Sequence, residues 1–223
     1  MNRHTKSNGM IKKFLQAILD SFIPLSSESR IARTLSEQTL QELLHPVIHR
    51  DKQWIVALFP YRNRKVRALV RAIKYRGEKA PLPSLGRIIA DEITHTLSEK
   101  SALGGWHIPL IIPIPSSEKR LRSRGYNQAE RLTLAILPHL VGSVEYAPDV
   151  LGREDRPSQV SVSKEERRNN IEGAFFVIRP EKVRGTQILL IDDVAETGTT
   201  LSDAKRALKE AGADDVLAFT IAQ

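Results

Sequence analysis

Hydrophobic positions along the chain follow two patterns, a helical spacing and short apolar runs, and segments of the two kinds alternate. Apolar residues three or four positions apart predict helices over 10–23, 28–44, 64–75, 85–97, 127–140 and 199–211. Short apolar runs predict strands over 55–61, 106–114, 174–178, 186–193 and 216–221. Because strand and helix alternate through the C-terminal two-thirds, the pattern indicates an α/β fold with a mainly parallel sheet.

The hydrophobic pattern changes near residue 50, which suggests two parts. Before this point the pattern is helical, with a break at Pro24 and the serine-rich stretch that follows it. After Trp54 the first strand begins. We therefore expect a helical N-terminal extension over 1–50 and one domain over 51–223. Within that domain the polar stretch 152–172 predicts a long loop, and loops of this length are usually functional or disordered.

The composition permits a real core and limits the chemistry. The chain has 223 residues, of which 41% are hydrophobic and 27% charged, so wholesale disorder is not expected. Cysteine is absent, which excludes disulfides, thiolate zinc sites and a cysteine nucleophile. The longest nearly apolar run, 108–114, is far shorter than the ~20 residues that cross a bilayer. We expect a cytoplasmic protein without stable membrane insertion.

The charge balance predicts an anionic partner. Lysine and arginine number 34 against 26 aspartate and glutamate, which gives a net charge of +8. An excess of this size is typical of proteins that bind nucleic acid, anionic lipid or a phosphorylated small molecule. Charge alone does not choose among these three.

The most informative stretch is 188–201, ILLIDDVAETGTTL. Four apolar residues predict a buried strand that ends in two adjacent carboxylates, Asp192 and Asp193. In α/β sheets, ligands bind beyond the carboxyl ends of the strands. The following loop, 197–200, precedes a helix whose N-terminus offers unpaired N–H groups, and Gly198 allows close backbone approach. This loop suits a phosphate monoester, while the carboxylates suit hydroxyl groups and a divalent cation; ribose 5-phosphate carries both kinds of group.

This stretch resembles the motif by which type I phosphoribosyltransferases bind 5-phosphoribosyl 1-pyrophosphate (PRPP). The resemblance implies that Asp192 and Asp193 hold the ribose hydroxyls and Mg²⁺, the latter directly or through water. It further implies that Thr197, Gly198, Thr199 and Thr200 wrap the 5′-phosphate. Glu196 departs from the commonest family pattern, which has Thr, Ala or Asp at this place. Glu196 and Asp193 are the candidate catalytic residues, with Glu196 either a general base, a base-reading group or an ordinary loop carboxylate.

Two further stretches are rich in cations. The first follows the strand that ends near residue 114 and predicts a basic loop that contains Lys119, Arg120, Arg122 and Arg124. Four cations there suit pyrophosphate or a nucleic-acid backbone, and the alternative is a solvated basic loop. The second lies in the polar stretch and would close over an anionic ligand, unless it is an ordinary surface loop; its cations are Lys164, Arg167 and Arg168.

Three motifs in this order resemble the competence protein F (ComF) family of phosphoribosyltransferase-like proteins. They are IKYRG at 73–77, PIPSSEKRLRSRGYNQ at 113–128 and the run from Arg153 that ends in RRNNIEGAF at 167–175. The resemblance covers about 55–223 and implies a type I phosphoribosyltransferase-like fold, a central mostly parallel sheet flanked by helices. Many members begin with a cysteine-rich zinc module, which a chain without cysteine lacks.

Two classes of function follow from the resemblance. As an enzyme, the protein would bind PRPP, or another ribose 5-phosphate ligand, with Mg²⁺, and a nucleophile would displace pyrophosphate at the ribose C1. The family also implies a link to DNA uptake during natural transformation and a partner in the competence machinery. The alternative is a non-catalytic protein: either an accessory factor that binds single-stranded DNA through the helix 64–76 and the basic loop, or a PRPP sensor. The sequence does not identify the acceptor.

Overall fold

A computed structural model of the chain describes residues 26–49, 51–102, 106–155 and 173–223. The helix predicted over 10–23 and the cations Lys164, Arg167 and Arg168 lie outside these residues. The helices are α1 Ser27–Thr34, α2 Glu37–Leu43, α3 Arg64–Arg76, α4 Leu82–Ala102, α5 Glu118–Arg124, α6 Gln128–Ile136, α7 Pro180–Val183 and α8 Thr199–Glu210. The strands are β1 Val47–His49, β2 Lys52–Phe59, β3 Leu110–Pro113, β4 Glu145–Tyr146, β5 Leu151–Arg153, β6 Phe175–Val177, β7 Gln187–Val194 and β8 Asp215–Ala222.

Six strands form the central sheet in the order β1-β2-β8-β7-β3-β4. The pairs from β2 to β4 are all parallel, and only β1 runs antiparallel, against β2, in this sheet. Strands β5 and β6 form a separate antiparallel pair. The predicted α/β fold with a central, mostly parallel sheet is therefore confirmed.

Both faces of the central sheet are buried, as the continuous apolar runs predicted. Along β7, Leu189 and Ile191 belong to one apolar cluster, while Ile188 and Leu190 belong to another. Successive side chains of a strand point to opposite faces, so helices must cover both sides of the sheet. None of the helices in the described part of the chain has the length and apolar character needed to span a membrane.

The N-terminal part differs from its prediction in two respects. The single helix predicted over 28–44 is two helices, because Leu35 is extended and the Ser36 side chain caps α2 by accepting the Thr39 N–H at 3.1 Å. Strand β1 was not predicted, and it lies before the expected boundary at residue 50, where it pairs with β2. The division into 1–50 and 51–223 stays a prediction.

The basic segment after β3 is a helix, which corrects the predicted loop. Helix α5 begins after Ser117, whose hydroxyl accepts the Arg120 N–H at 3.4 Å, and ends at Gly125 with a left-handed φ of 74°. Its four basic residues therefore point in different directions around the helix. The strand predicted over 106–114 is shorter, and the short strands β4 and β5 and the helix α7 were not predicted.

A buried carboxylate attaches β6 to α8. Asp203 is 3% exposed and accepts the backbone N–H groups of Gly173 at 2.7 Å and Ala174 at 2.8 Å. Arg206 also donates to it, at 2.8 Å. Burial opposes ionisation, but these donors outweigh it and lower the pKa of Asp203 below its ordinary value. The carboxylate thus stabilises the fold in its charged form.

Replacing this carboxylate should destabilise the protein in a pH-dependent way. We expect Asp203→Asn to lower the free energy of unfolding by about 2–3 kcal/mol near neutral pH. The amide would place an NH₂ group where one carboxylate oxygen now accepts a backbone N–H, and Arg206 would lose its charged partner. The contribution is present above the unfolded pKa of 3.8 and is lost as the pH falls through the lower folded value. Urea unfolding at neutral and acidic pH measures the difference. Glu210→Gln, at the exposed end of the same arginine, is the control, and an equal loss there would contradict the assignment.

Candidate functional site

A cavity of about 380 Å³ opens beyond the carboxyl ends of β3 and β7. From β3 the chain proceeds to β4 on one side of the sheet, and from β7 it proceeds to β8 on the other. The two loops that leave β3 and β7 therefore diverge and leave a crevice between them. This is the switch point at which open α/β sheets bind ligands.

The acidic pair lies in the floor of this cavity. The backbone N–H of Asp193 donates to Oδ1 of Asp192 at 2.8 Å, so the two carboxylates are held in a fixed relation. Lys74, from the end of α3, places its Nζ 3.6 Å from Oδ2 of Asp193. Asp193 is only 9% exposed, and the lysine partly balances its charge.

The carboxyl of Asp192 is the strongly perturbed acid of the site. Desolvation in the cavity floor, with the neighbouring Asp193 carboxylate, raises the pKa of Asp192 to about 7. The Asp193 N–H and the cations Lys74 and Arg153 oppose this rise. An acid that binds its proton near neutral pH is typical of ligand and catalytic sites.

The loop after the acidic pair leads directly into α8. Gly198 has a left-handed φ of 63°, and a Cβ there would lie 2.9 Å from Ile55 Cδ1 and 3.0 Å from Lys52 Cδ, so glycine is required. Lys52 donates to the Gly198 carbonyl at 3.2 Å and also to the Ser202 hydroxyl. The N-cap residue Gly198 has no side chain to cap α8, and the Thr199 N–H donates to the Thr197 hydroxyl at 3.4 Å. A glycine-containing loop that Lys52 holds at the N-terminus of a helix suits an anion.

The threonines of this loop line the cavity and interact with one another. The hydroxyls of Thr197 and Thr199 are 2.8 Å apart, and both can turn towards a ligand oxygen. Thr200 and Glu196 also line the cavity, and the Glu196 side chain is exposed on its rim. All seven residues predicted from the 188–201 motif are thus brought to one cavity: Asp192, Asp193, Glu196, Thr197, Gly198, Thr199 and Thr200.

Of the four basic residues in α5, two reach the cavity and two do not. Arg120 and Arg124 line it. Lys119 and Arg122 line a separate surface hollow with Asp155, and Arg122 forms an ion pair with Glu118 one turn before it. The separation follows from the helix, because residues three or four apart share a face and their neighbours do not. Lys119 and Arg122 are therefore not part of this cavity.

Lys74 and Arg153 also line the cavity; neither was predicted individually as a site residue, although the stretch that begins at Arg153 was expected to face an anionic ligand. Burial, and then the nearby Arg120 guanidinium, lower the pKa of Arg153, and the carboxylates of Asp192 and Asp155 partly offset the change. Both residues lie in the motifs that marked the family resemblance. Their distance along the chain from Asp192 concealed their place in the site.

The motif at 125–128 attaches α3 to the cavity. The Tyr126 hydroxyl donates to the Ile73 carbonyl at 3.2 Å, and the Gln128 amide donates to the Lys74 carbonyl at 3.1 Å. Asn127 donates to the Ile114 carbonyl at 3.0 Å and accepts the Ala129 N–H, which caps α6. These bonds fix Lys74 over the acidic pair and give a physical reason for the two motifs.

The raised pKa of Asp192 leads to a stability prediction for the metal-free protein. Between the unfolded pKa of 3.8 and about 7, the folded state binds more protons than the unfolded state, so stability falls as the pH rises. Asp192→Asn removes this penalty. As the pH rises from acidic to slightly basic, we expect the free energy of unfolding of the variant to increase by about 2 kcal/mol relative to that of the wild type. This is less than the full pKa difference would give, because Asp192 is partly exposed.

Urea unfolding in the presence of a chelator measures this difference at several pH values. Asp91→Asn, an exposed carboxylate on α4, is the control and should show no such trend. A wild-type minus Asp192→Asn difference that is independent of pH would contradict the assignment.

Comparison with known proteins places these observations in a family. The family described as Phosphoribosyl transferase domain matches residues 85–222, more than half of the chain. The chain is 37% identical to Competence protein ComFC of Streptococcus pneumoniae over 110 residues, 49% of this chain and 46% of the relative. It is 28% identical to Competence protein F of Haemophilus influenzae over 119 residues, 51% of this chain and 49% of the relative.

A third relative is DNA utilization protein YhgH of Salmonella typhimurium, 26% identical over 149 residues, which are 66% of this chain and 63% of that protein. The chain spans about half the length of the first two relatives and under two thirds of the third. The family match, with the parallel sheet, confirms the predicted type I phosphoribosyltransferase-like fold, and the relatives confirm the resemblance to competence protein F. The chain belongs to the phosphoribosyl transferase domain family.

Proposed function

We propose that this protein binds PRPP with Mg²⁺ and transfers its 5-phosphoribosyl group to an acceptor. The observation that carries the proposal is the convergence of three kinds of group on one cavity. An acidic pair, a loop at a helix N-terminus and several cations all line it. PRPP carries vicinal hydroxyls, a phosphate monoester and a pyrophosphate, so each kind of group has a counterpart in the ligand.

The ribose 5-phosphate end is assigned to the loop that follows β7. The N–H groups at the start of α8 and the hydroxyls of Thr197 and Thr199 donate to phosphate oxygens. Asp192 and Asp193 accept from the ribose 2′- and 3′-hydroxyls. Because Gly198 has no side chain, the backbone approaches the phosphate closely.

The pyrophosphate end is assigned to the cations on the opposite wall. Arg120 and Arg124 come from α5, and Arg153 comes from the small sheet formed by β5 and β6. Planar guanidinium groups donate paired hydrogen bonds to phosphate oxygens. Their charge favours departure of pyrophosphate, because negative charge on the leaving group grows in the transition state.

The acidic pair fits Mg²⁺ together with ligand oxygens. Within the described residues, no group of three or more His, Cys, Asp or Glu side chains is arranged to hold a metal. Protein-bound Mg²⁺ usually has one or two carboxylates and otherwise water or substrate phosphate. Asp192 and Asp193 match that requirement, and bound Mg²⁺ supplies neutralisation of pyrophosphate charge.

The transfer step needs a base on the acceptor side. An acceptor nucleophile attacks the ribose C1, the C1–oxygen bond to pyrophosphate breaks, and the proton of the nucleophile leaves. Glu196 is exposed on the cavity rim, where it can accept that proton. Asp193, fixed next to Lys74, holds the sugar during the displacement.

The cellular role proposed for this activity is a part in DNA uptake. Its support is the similarity to proteins named Competence protein ComFC and Competence protein F and to a DNA utilization protein. A protein of the competence machinery is the corresponding partner. These names describe the relatives, and only about half of the first two is shared with this chain.

Calorimetric titration with PRPP, with and without Mg²⁺, tests the proposal. We expect saturable binding that needs Mg²⁺ and that weakens at least ~10-fold in Asp193→Asn, which corresponds to about 1.4 kcal/mol. The thermal midpoint of each variant checks that the fold is intact. Asp91→Asn is the charge-matched control and should bind like the wild type. Absence of binding, or equal affinity in Asp193→Asn, would refute the assignment.

One observation favours a second candidate function, binding of single-stranded DNA. Arg64, Arg67 and Arg71 are exposed and lie three or four residues apart on α3, so they form one basic stripe. Neither Arg64 nor Arg67 has an ion pair within the described residues, and Arg71 has one distant pair, to Glu28 at 3.7 Å. A row of cations of this kind suits a phosphate backbone.

Fluorescence anisotropy with a labelled oligonucleotide, measured over a range of salt concentrations, tests this second function. Affinity that falls steeply with salt, with a slope reduced by about 2 in the double variant Arg64→Gln/Arg67→Gln, would support it. Binding that is insensitive to salt, or an unchanged slope in the double variant, would exclude the stripe as the DNA contact.

A further inference from the structure

A second cavity of about 420 Å³ adjoins the first, and Tyr75 lines both. Its other lining residues are Glu28, Tyr61, Arg71 and Arg76. The cavity therefore contains two aromatic rings and two guanidinium groups against a single carboxylate.

The Tyr75 ring is exposed and lies against an arginine. Tyr75 is 62% exposed, and the Arg124 guanidinium carbon lies 5.1 Å from its ring centroid. The preceding residue is held by the bond from Gln128 to the Lys74 carbonyl, and α3 ends at Gly77 in a left-handed turn. A large apolar ring that is held in place and left open is a stacking platform.

The charge of this second cavity is positive. Arg76 has no ion pair within the described residues, and Arg71 has only the 3.7 Å pair with Glu28. A guanidinium group without a carboxylate partner is available to an anion. Tyr75 and Arg76 line the same cavity, so the ring and this cation belong to one site.

We propose that the second cavity is a binding site for a nucleoside monophosphate. The base stacks on Tyr75, on the ring face that Arg124 does not cover, and the phosphate meets Arg76 and Arg71. The volume lies within the range of small-molecule sites and is suited to one nucleotide. This inference goes beyond the proposed function, because the site takes its ligand without PRPP or Mg²⁺ and uses neither Asp192 nor Asp193.

Titration of the full chain with AMP, in the absence of PRPP and Mg²⁺, tests this site. We expect saturable binding, a loss of at least ~10-fold in Tyr75→Leu, and affinity within about 3-fold of wild type in Tyr75→Phe, which keeps the ring. Arg76→Gln should weaken AMP by about 5-fold or more while adenosine binding changes little. The control is Arg184→Gln, an exposed arginine outside both cavities.

Several outcomes would overturn the inference. They are the absence of AMP binding by the wild type at about 1 mM, equal affinity in Tyr75→Leu, or an equal loss in Arg184→Gln, which would indicate attraction by net charge alone. An oligonucleotide that binds tightly while AMP does not would assign the surface to a polymer backbone and would also overturn it. Titration of Arg76→Gln with PRPP and Mg²⁺ separates the two proposals, because Arg76 lines the second cavity and not the first. PRPP affinity retained in that variant supports a distinct site, and loss of PRPP binding in the wild type refutes the proposed function alone.

Discussion

The parallel pairing of β3 with β7 is the constraint on which the rest of the site depends. Ile112 lies opposite Leu190 and Pro113 opposite Ile191, so both strands end at the same edge of the sheet. The loop after β7 carries the acidic pair and the anion loop, and the segment after β3 leads to α5 and its arginines. Two regions separated by about 70 residues of sequence thus meet across one crevice. Apolar packing on both faces stabilises this pairing, since Ile112 and Leu190 lie in one buried cluster and Ile111 and Leu189 in the other.

The cavity is electrostatically balanced before any ligand enters. Lys74 lies near Asp193, and Arg153 interacts with Arg120 as well as with Asp192. A cluster of cations alone would repel itself, and a pair of buried carboxylates alone would hold protons. Together, the cations that bind anions and the carboxylates that accept from hydroxyl groups lie a short distance apart in a low-dielectric crevice. This arrangement suits a ligand that is itself both hydroxylated and anionic.

Much of the fold and part of the site follow from the sequence. The long helices α3 and α4 were predicted because their hydrophobic periods are regular, and the strands β7 and β8 because their apolar runs are continuous. Shorter elements were missed: β4 has two residues and β5 three, too few to show a period. Helix α5 was predicted as a loop because its charged residues mask any apolar face. The pairing of β5 with β6 was not predicted, because the two strands lie near opposite ends of the polar stretch 152–172 and no local pattern indicates that they meet.

The strand–carboxylate–loop–helix unit of 188–201 was predicted from its residues alone, because all of its groups are close in sequence and the buried strand orients them. The alternating order of elements and the excess of positive charge were equally clear from the sequence. Which cations reach the cavity depends on the three-dimensional packing. Arg120 and Arg124 reach it while Lys119 and Arg122 do not, since helix α5 divides them between faces. Lys74, Arg153 and Tyr75 arrive from distant segments, and their positions depend on hydrogen bonds and packing that no local pattern encodes.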